Sequence, residues 1–228
     1  MVNISPIFWD RAGETRHGFL KLLHGILKPA VYLEIGVQSG ASLTLAEHSK
    51  VAVGIDPKPE LTTGLPPWAT VYESTSDEFF ALNPLPLKIN LGFIDGMHLW
   101  EYALRDFMNI EASSAPGGMI VFDDVLPYNQ EIATRKQPPG DWTGDVWKVW
   151  DILTFWRPDL DICLVDVSPT GLMLVQNLDP DNRWLKEKWS TVSARWSTHH
   201  WDVPRELIDR TVAVSPSYAI DWVKGEST

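Results

Sequence analysis

The chain reads as α/β. It should form a doubly wound, mostly parallel sheet of seven strands, the last antiparallel, with helices on both faces and extra helices at each end. Three observations predict this. Short apolar runs alternate with segments of helical periodicity. The first run, 31–35, passes through a glycine turn, with Gly36 and Gly40, into a helical pattern. Later runs end in acids, at Asp56, Asp95 and the pair Asp123-Asp124. The ends of parallel strands share one edge of the sheet, where α/β folds bind ligands.

At 228 residues, with 44% hydrophobic, the chain suits one domain with one large core. Residues 1–29 read as an N-terminal helical segment, 30–178 as the α/β core and 179–228 as a tryptophan-rich helical appendage. Residues 1–10, with Pro6, Phe8 and Trp9, should lie across the body. Residues 12–27 place Phe19, Leu20, Leu22, Leu23, Ile26 and Leu27 at helical spacing, and Lys28-Pro29 ends that helix. Strand one covers 31–35 and a helix 41–47. Strand two covers 51–55 and runs into Asp56. Pro57, Pro59, Pro66 and Pro67 make a loop. A third strand spans 69–72, and a short helix, 76–82, should be capped by Ser or Asp. Asn83-Pro84-Leu85-Pro86 is a break. The fourth strand spans 89–94. The helix at 99–112 turns Leu99, Ala103, Phe107 and Ile110 inward.

Pro116-Gly117-Gly118 predicts a tight turn before a fifth strand at 119–122. Residues 125–140, with Pro127, Pro138 and Pro139, read as a long lid-like loop. A helix follows over 145–156. The runs 162–167 and 172–176 are joined by only Ser168-Pro169-Thr170-Gly171, which demands an antiparallel hairpin. Beyond Asp179 the residues Trp184 or Leu185, Trp189, Val192 and Trp196 recur at helical intervals. They serve either core packing or a wall for a second copy or a substrate, so a homo-oligomer is one expectation.

Charge and cysteine content exclude several classes. The formal net charge is -11 with no basic run, which argues against a nucleic-acid partner. Cys163 is the only cysteine and lies in an apolar run, so it reads as an inert buried thiol in a reducing compartment. No apolar run is long enough to span a bilayer and no leader pattern opens the chain, so a soluble, cytoplasmic protein is expected, with no membrane partner. His199 and His200 read as surface residues.

The candidate site follows from the strand ends. Glu34 ends a buried strand, a costly place for an acid unless a cationic ligand group, a ring of donors or water meets it. Asp56 stands where nucleotide-binding α/β folds hold a ribose diol. Asp95, Asp123 and Asp124 share one edge and would repel each other without a cation between them. Oxygen donors without paired His or Cys favour a hard divalent ion such as Mg²⁺; the bland alternative is turn and cap aspartates. His98, three residues past Asp95, could take a proton from a substrate hydroxyl or be structural. Trp142, Asp145 and Trp147 form either a plain helix N-terminus or an aromatic substrate wall.

The run from Glu34 to Asp56, the run Phe93-Ile94-Asp95-Gly96-Met97-His98 and the run from Gly117 to Asp124 resemble class I S-adenosylmethionine-dependent methyltransferases. Within that class they are most similar to small metal-dependent O-methyltransferases of macrolide and aminocoumarin sugar tailoring. The resemblance covers about residues 30–176 and implies a Rossmann-like core. It implies that Glu34 and Gly36 lie beside the methionine part of the cofactor, that Gly40 is also cofactor-binding and that Asp56 holds the ribose. Ser74, Thr75 and Ser76 would lie near the adenine, although Glu73-Ser74-Thr75-Ser76 departs from the family's Gly-Asp-Ser. Asp95 would border the cofactor and, with Asp123 and Asp124, hold Mg²⁺. His98 takes the place of the base, and the acceptor would be a small-molecule or sugar hydroxyl, such as a vicinal diol or catechol.

Two other classes compete. A nicotinamide-dependent oxidoreductase would need a fuller glycine fingerprint and leaves Asp123-Asp124 unexplained. A non-catalytic cofactor-binding partner subunit has no reason to keep Asp95, Asp123, Asp124 and His98 together.

Overall fold

The computed structural model describes residues 14–82, 88–197 and 201–226. The expectations for residues 1–13, for the break at 83–86 and for His199 and His200 lie outside those residues. The strands are β1 (Val31–Ile35), β2 (Val51–Asp56), β3 (Ala69–Glu73), β4 (Ile89–Ile94), β5 (Ser114–Asp123), β6 (Asp161–Val165) and β7 (Leu172–Gln176). They form one seven-stranded sheet in the order β3-β2-β1-β4-β5-β7-β6. β1 pairs in parallel with both β2 and β4, so the chain reverses its direction of travel across the sheet beside β1. The crevice at that switch point is where such sheets take ligands. The hairpin closes as its short link requires, with β7 antiparallel to both β5 and β6.

Helices cover both faces. On one lie α1 (Arg16–Leu27) and α8 (Pro216–Lys224). On the other lie α2 (Ser76–Leu82), α3 (Trp100–Ala112), α4 (Trp147–Trp156), α5 (Trp184–Glu187), α6 (Trp189–Ser197) and α7 (Arg205–Ile208). Leu185, Val192 and Trp196 are buried in that second layer, and the Trp196 indole N–H donates to Asp151 at 3.0 Å. Core packing is therefore the use made of these three positions. Arg157, just after α4, is 1% exposed at its side chain and makes a two-pronged pair with Glu111 of α3 at 2.8 and 2.7 Å.

Several local expectations change. The helix expected over 41–47 is only a 3-10 turn, Leu43–Leu45. The Thr44 hydroxyl donates to the Ala41 carbonyl at 2.7 Å, a local bond that competes with helix propagation. The Pro116-Gly117-Gly118 turn lies inside β5 as an irregularity. Ser114 pairs with Ile89 and Met119 with Leu91, and Gly117 has φ +71°. Leu99 precedes α3 and is half-buried; Trp100 and Leu104 join the inward face instead. The proline-rich loop is tied down rather than free. Val125 and Leu126 are fully buried, and Gln130 brackets Val203 with two side-chain bonds at 2.9 and 2.8 Å.

Candidate active site

A cleft of about 740 Å³ opens at the switch point. Its floor is the glycine turn after β1. Gly36 has φ +89°, and a Cβ there would stand 1.9 Å from the Asp95 carbonyl oxygen. Both conditions demand glycine. The close approach follows from the ladder: Gly36 N–H donates to Ile55 at 2.9 Å and Asp95 N–H to Ile35 at 2.8 Å. Gly40 also has positive φ, at +83°, but it does not line the cleft. A Cβ there would press on Leu61, Thr63 and Leu65 at 3.1–3.3 Å. Its role is to turn the chain.

Asp56 lines the cleft with its carboxylate already oriented. Oδ2 accepts from Val37 and Gln38 N–H at 2.9 and 2.8 Å, and Oδ1 accepts from Lys58 N–H at 2.7 Å. Thr75 and Ser76 line the same cleft below β3, but Ser74 does not; its hydroxyl is buried without a partner. Thr75 and Glu78 cap α2 reciprocally. Glu78 N–H donates to the Thr75 hydroxyl at 3.2 Å and Thr75 N–H to Glu78 at 3.1 Å. The cap is thus a threonine, not the expected Ser or Asp.

Glu34 does not line the cleft. It is fully buried and meets a ring of donors: Tyr32 and Ser42 hydroxyls both donate to it at 2.7 Å. Ser42 does line the cleft, so Glu34 orients a wall residue rather than touching a ligand. Burial pushes the Glu34 carboxyl up to about 8, against the pull of those two hydrogen bonds. The folded state therefore prefers the protonated acid. That preference stabilises fully below the ordinary value of 4.5 and is lost as pH rises through about 8. Glu34→Gln should gain stability over the parent across that window, with a slope of at most about 1.4 kcal/mol per pH unit. Denaturant titrations at pH 5, 7 and 9 check this, and a pH-independent difference would refute it.

The acidic rim holds Asp95, Asp123, Asp124 and His98, but not in the expected grouping. His98 Nε2 lies 3.5 Å from Asp95 Oδ1 and 3.2 Å from Asp124 Oδ2. These three residues present ligand atoms all within 4.8 Å of one another. Asp123 is excluded from the group. Its Oδ2 takes a short hydrogen bond from Arg16 Nη1, which also lies 3.4 Å from Asp95 Oδ2, and its Oδ1 accepts from Asp124 N–H at 2.8 Å. The grouping of side chains differs from the expected all-aspartate one: Asp95 and Asp124 lie with His98, and Asp123 turns toward Arg16. Burial and the neighbouring acids raise Asp123 well above the carboxylate range. Burial raises Asp124 to about 6, with His98 opposing. Burial works against a charged His98, yet Asp95 and Asp124 outweigh it and hold the ring at about 9.

His98 is locked from behind. Its Nδ1 sits 2.7 Å from the Trp142 carbonyl and its ring lies 5.1 Å from the Trp142 ring. As donor to that carbonyl, Nδ1 fixes the ring with Nε2 facing the acids, and in the charged ring Nε2–H points at them. Gly144, with φ +56°, lets this loop approach, since a Cβ there would stand 1.6 Å from the His98 carbonyl oxygen. None of Trp142, Asp145 and Trp147, the expected aromatic wall, lines the cleft, and of their side chains it is the Trp142 ring that lies against a cleft residue, His98. Trp147 is 1% exposed within the core. Asp145 is buried too, accepting from Trp100 N–H at 3.0 Å and from Lys148 and Arg135 at 2.8 Å each. It caps α3 from a distance, a job no local cap performs.

Among the cleft residues that the sequence pattern did not single out, Asp106 and Arg16 bring ionisable side chains into the site. Asp106 of α3 is 2% exposed and is pushed up to about 7 by burial. Its signal was an acid on the inward stripe beside Ala103 and Phe107. Arg16 opens α1, where the helix dipole disfavours a cation. Because the sequence pattern starts that helix at residue 12, this misplacement was not legible there.

Comparison with known proteins agrees with this fold. Residues 33–125 match the family model described as a methyltransferase domain. No curated protein matches the chain. The O-methyltransferase TomG from Streptomyces achromogenes, involved in tomaymycin synthesis and solved with SAM, has 17% identity and TM-score 0.57, over 71% of this chain and 78% of that one. An O-methyltransferase from Bacillus cereus, solved with SAH, has 16% identity and TM-score 0.56, over 71% and 80%. The N-methyltransferase NodS from Bradyrhizobium japonicum has 18% identity and TM-score 0.50, over 78% and 100%. Residues 33–125 are thus similar to a methyltransferase domain, and the order of the sheet agrees with the fold of these solved methyltransferases. The fold is shared by O- and N-methyltransferases alike, so the acceptor must be argued from the site.

Proposed function

We propose that this chain is an O-methyltransferase that moves a methyl group from S-adenosylmethionine to a hydroxyl of a small molecule or sugar, of the vicinal-diol or catechol type. One observation carries the reading: the glycine turn and Asp56 share a single cleft with the rim formed by Asp95 and His98. The names of solved relatives, two of the three O-methyltransferases, lend support. Asp56 would hold the ribose hydroxyls, Gly36 would let the backbone approach the methionine part, and Thr75 and Ser76 would border the adenine.

S-adenosylmethionine supplies an electrophilic methyl on a sulfonium, and a divalent ion such as Mg²⁺, when bound, would lower an acceptor hydroxyl's pKa. Asp95 and Asp124 would hold that ion. A cation on Asp95 and Asp124 would remove the pairing that keeps His98 charged, so that Nε2 could then accept the hydroxyl proton, and Trp142 would keep the ring in place. Positioning of donor and acceptor supplies most of the remaining rate. A second reading makes His98 the third metal ligand, because its other nitrogen meets a backbone carbonyl, as ligating histidines do.

The test is transfer of an isotopically labelled methyl to a panel of diols, catechols and amines. Transfer to hydroxyls should vanish with a chelator and return with Mg²⁺. Transfer indifferent to the chelator removes the metal, and transfer to amines alone removes the O-methyl assignment. Among the described residues no helix is long and apolar enough to cross a membrane. A cytoplasmic setting belongs to this reading through the single buried cysteine, Cys163.

A further inference from the structure

The three aspartates of the rim need positive charge nearby, and the chain supplies some itself. Arg16 reaches across from the first turn of α1 to Asp123 and Asp95. Its backbone is pinned there. Arg16 N–H donates to the Ser168 carbonyl at 2.9 Å, and Ser168 N–H donates to the Glu14 carbonyl at 3.1 Å. The strap at 14–16 is thereby tied to the β6–β7 link, beside the end of β5. Thr15 caps the helix and no acid lies in its first turn. A cation at that end opposes the helix dipole, so helix stability alone does not account for it. Asp123 is 1% exposed, and without a counter-charge it would be a costly buried acid.

We propose that Arg16 is a tethered cation that competes with a divalent metal for the rim, withholding Asp123 and weakening the hold of Asp95. This rests on the metal-assisted reading above, and it makes a distinct statement about Arg16. A metal seated on Asp95, His98 and Asp124 leaves the Arg16–Asp123 pair intact but shares Asp95 with it. A metal drawing in Asp123 as well must first displace the guanidinium. Arg16 thus sets both the affinity of the site and the number of carboxylates that reach the ion.

The test uses Mn²⁺ alone, followed by electron paramagnetic resonance of the free ion, on the full chain and on Arg16→Gln, Arg16→Lys and Arg16→Gln/Asp123→Asn. Arg16→Gln should bind Mn²⁺ more tightly by about tenfold or more, the scale of one hydrogen bond between charged groups. Arg16→Lys should gain less, and the double variant should keep only the smaller gain that comes from freeing Asp95. Thermal melts identify any variant that fails to fold; Arg16→Lys, which keeps the charge beside Asp123, then decides alone by its own gain. Equal or weaker Mn²⁺ affinity in the folded Arg16 variants, or no binding by any form, overturns the proposal. S-adenosylhomocysteine binding, measured on the same samples, reports separately on the methyltransferase reading.

Discussion

Gly36→Ala should unsettle the fold and remove cofactor binding together. Alanine at φ +89° carries a left-handed penalty of roughly 1–2 kcal/mol. Its Cβ would also overlap the Asp95 carbonyl, 1.9 Å away, so backbone must move. Forced displacement in a packed region costs about 1–3 kcal/mol more. A total near 3 kcal/mol lowers the melting temperature of a chain this size by about 6–12 °C. The displaced segment is the Asp95 peptide, so the rim shifts along with the turn. Thermal melts and calorimetric titration with S-adenosylhomocysteine check both effects. A variant that melts with the parent and binds the ligand normally would show that the turn tolerates a side chain.

His98→Ala should lower turnover by about 10²–10⁴-fold, the usual worth of a positioned proton acceptor. Cofactor affinity should stay unchanged, because the seats proposed for the donor, Asp56 and the glycine turn, do not contact His98. The same variant separates the two roles open to Nε2. If His98 is the base, Mn²⁺ affinity survives its removal. If His98 is a ligand, Mn²⁺ affinity falls with turnover, and an oxygen-only pair of Asp95 and Asp124 remains. Unchanged turnover would clear His98 of both duties and leave its bond to the Trp142 carbonyl as a structural tie.

The strand ends were readable because burial and period are local. Val31–Ile35 and Leu172–Gln176 have the expected bounds, since a five-residue apolar run between turn residues is too short for a helix and suits a buried strand. The hairpin was readable because a four-residue link admits no parallel return. The helix at 41–47 failed for a local reason too, a threonine hydroxyl bonded to its own backbone, but periodicity does not report such bonds. The rim was half legible. Parallel strands bring Asp95, Asp123 and Asp124 to one edge, but the direction each carboxylate faces depends on what lies across from it.

By itself the sequence determined the alternating core, the glycine at the turn after the first strand and the gathering of acids at one sheet edge. These follow from side-chain period, from the backbone angles open only to glycine and from the fact that parallel strands all end on one side. Only the tertiary structure decided which acids face which cation. Arg16 and Asp123 are far apart in the chain, and they meet because the start of the first helix is strapped to the link between the last two strands. Trp147 and Asp145 were placed in the core and in a distant cap by packing that periodicity does not encode. Long-range charge pairing is a property of the folded surface, and it settles there whether this rim is served by a metal, by the chain's own arginine, or by the two in competition.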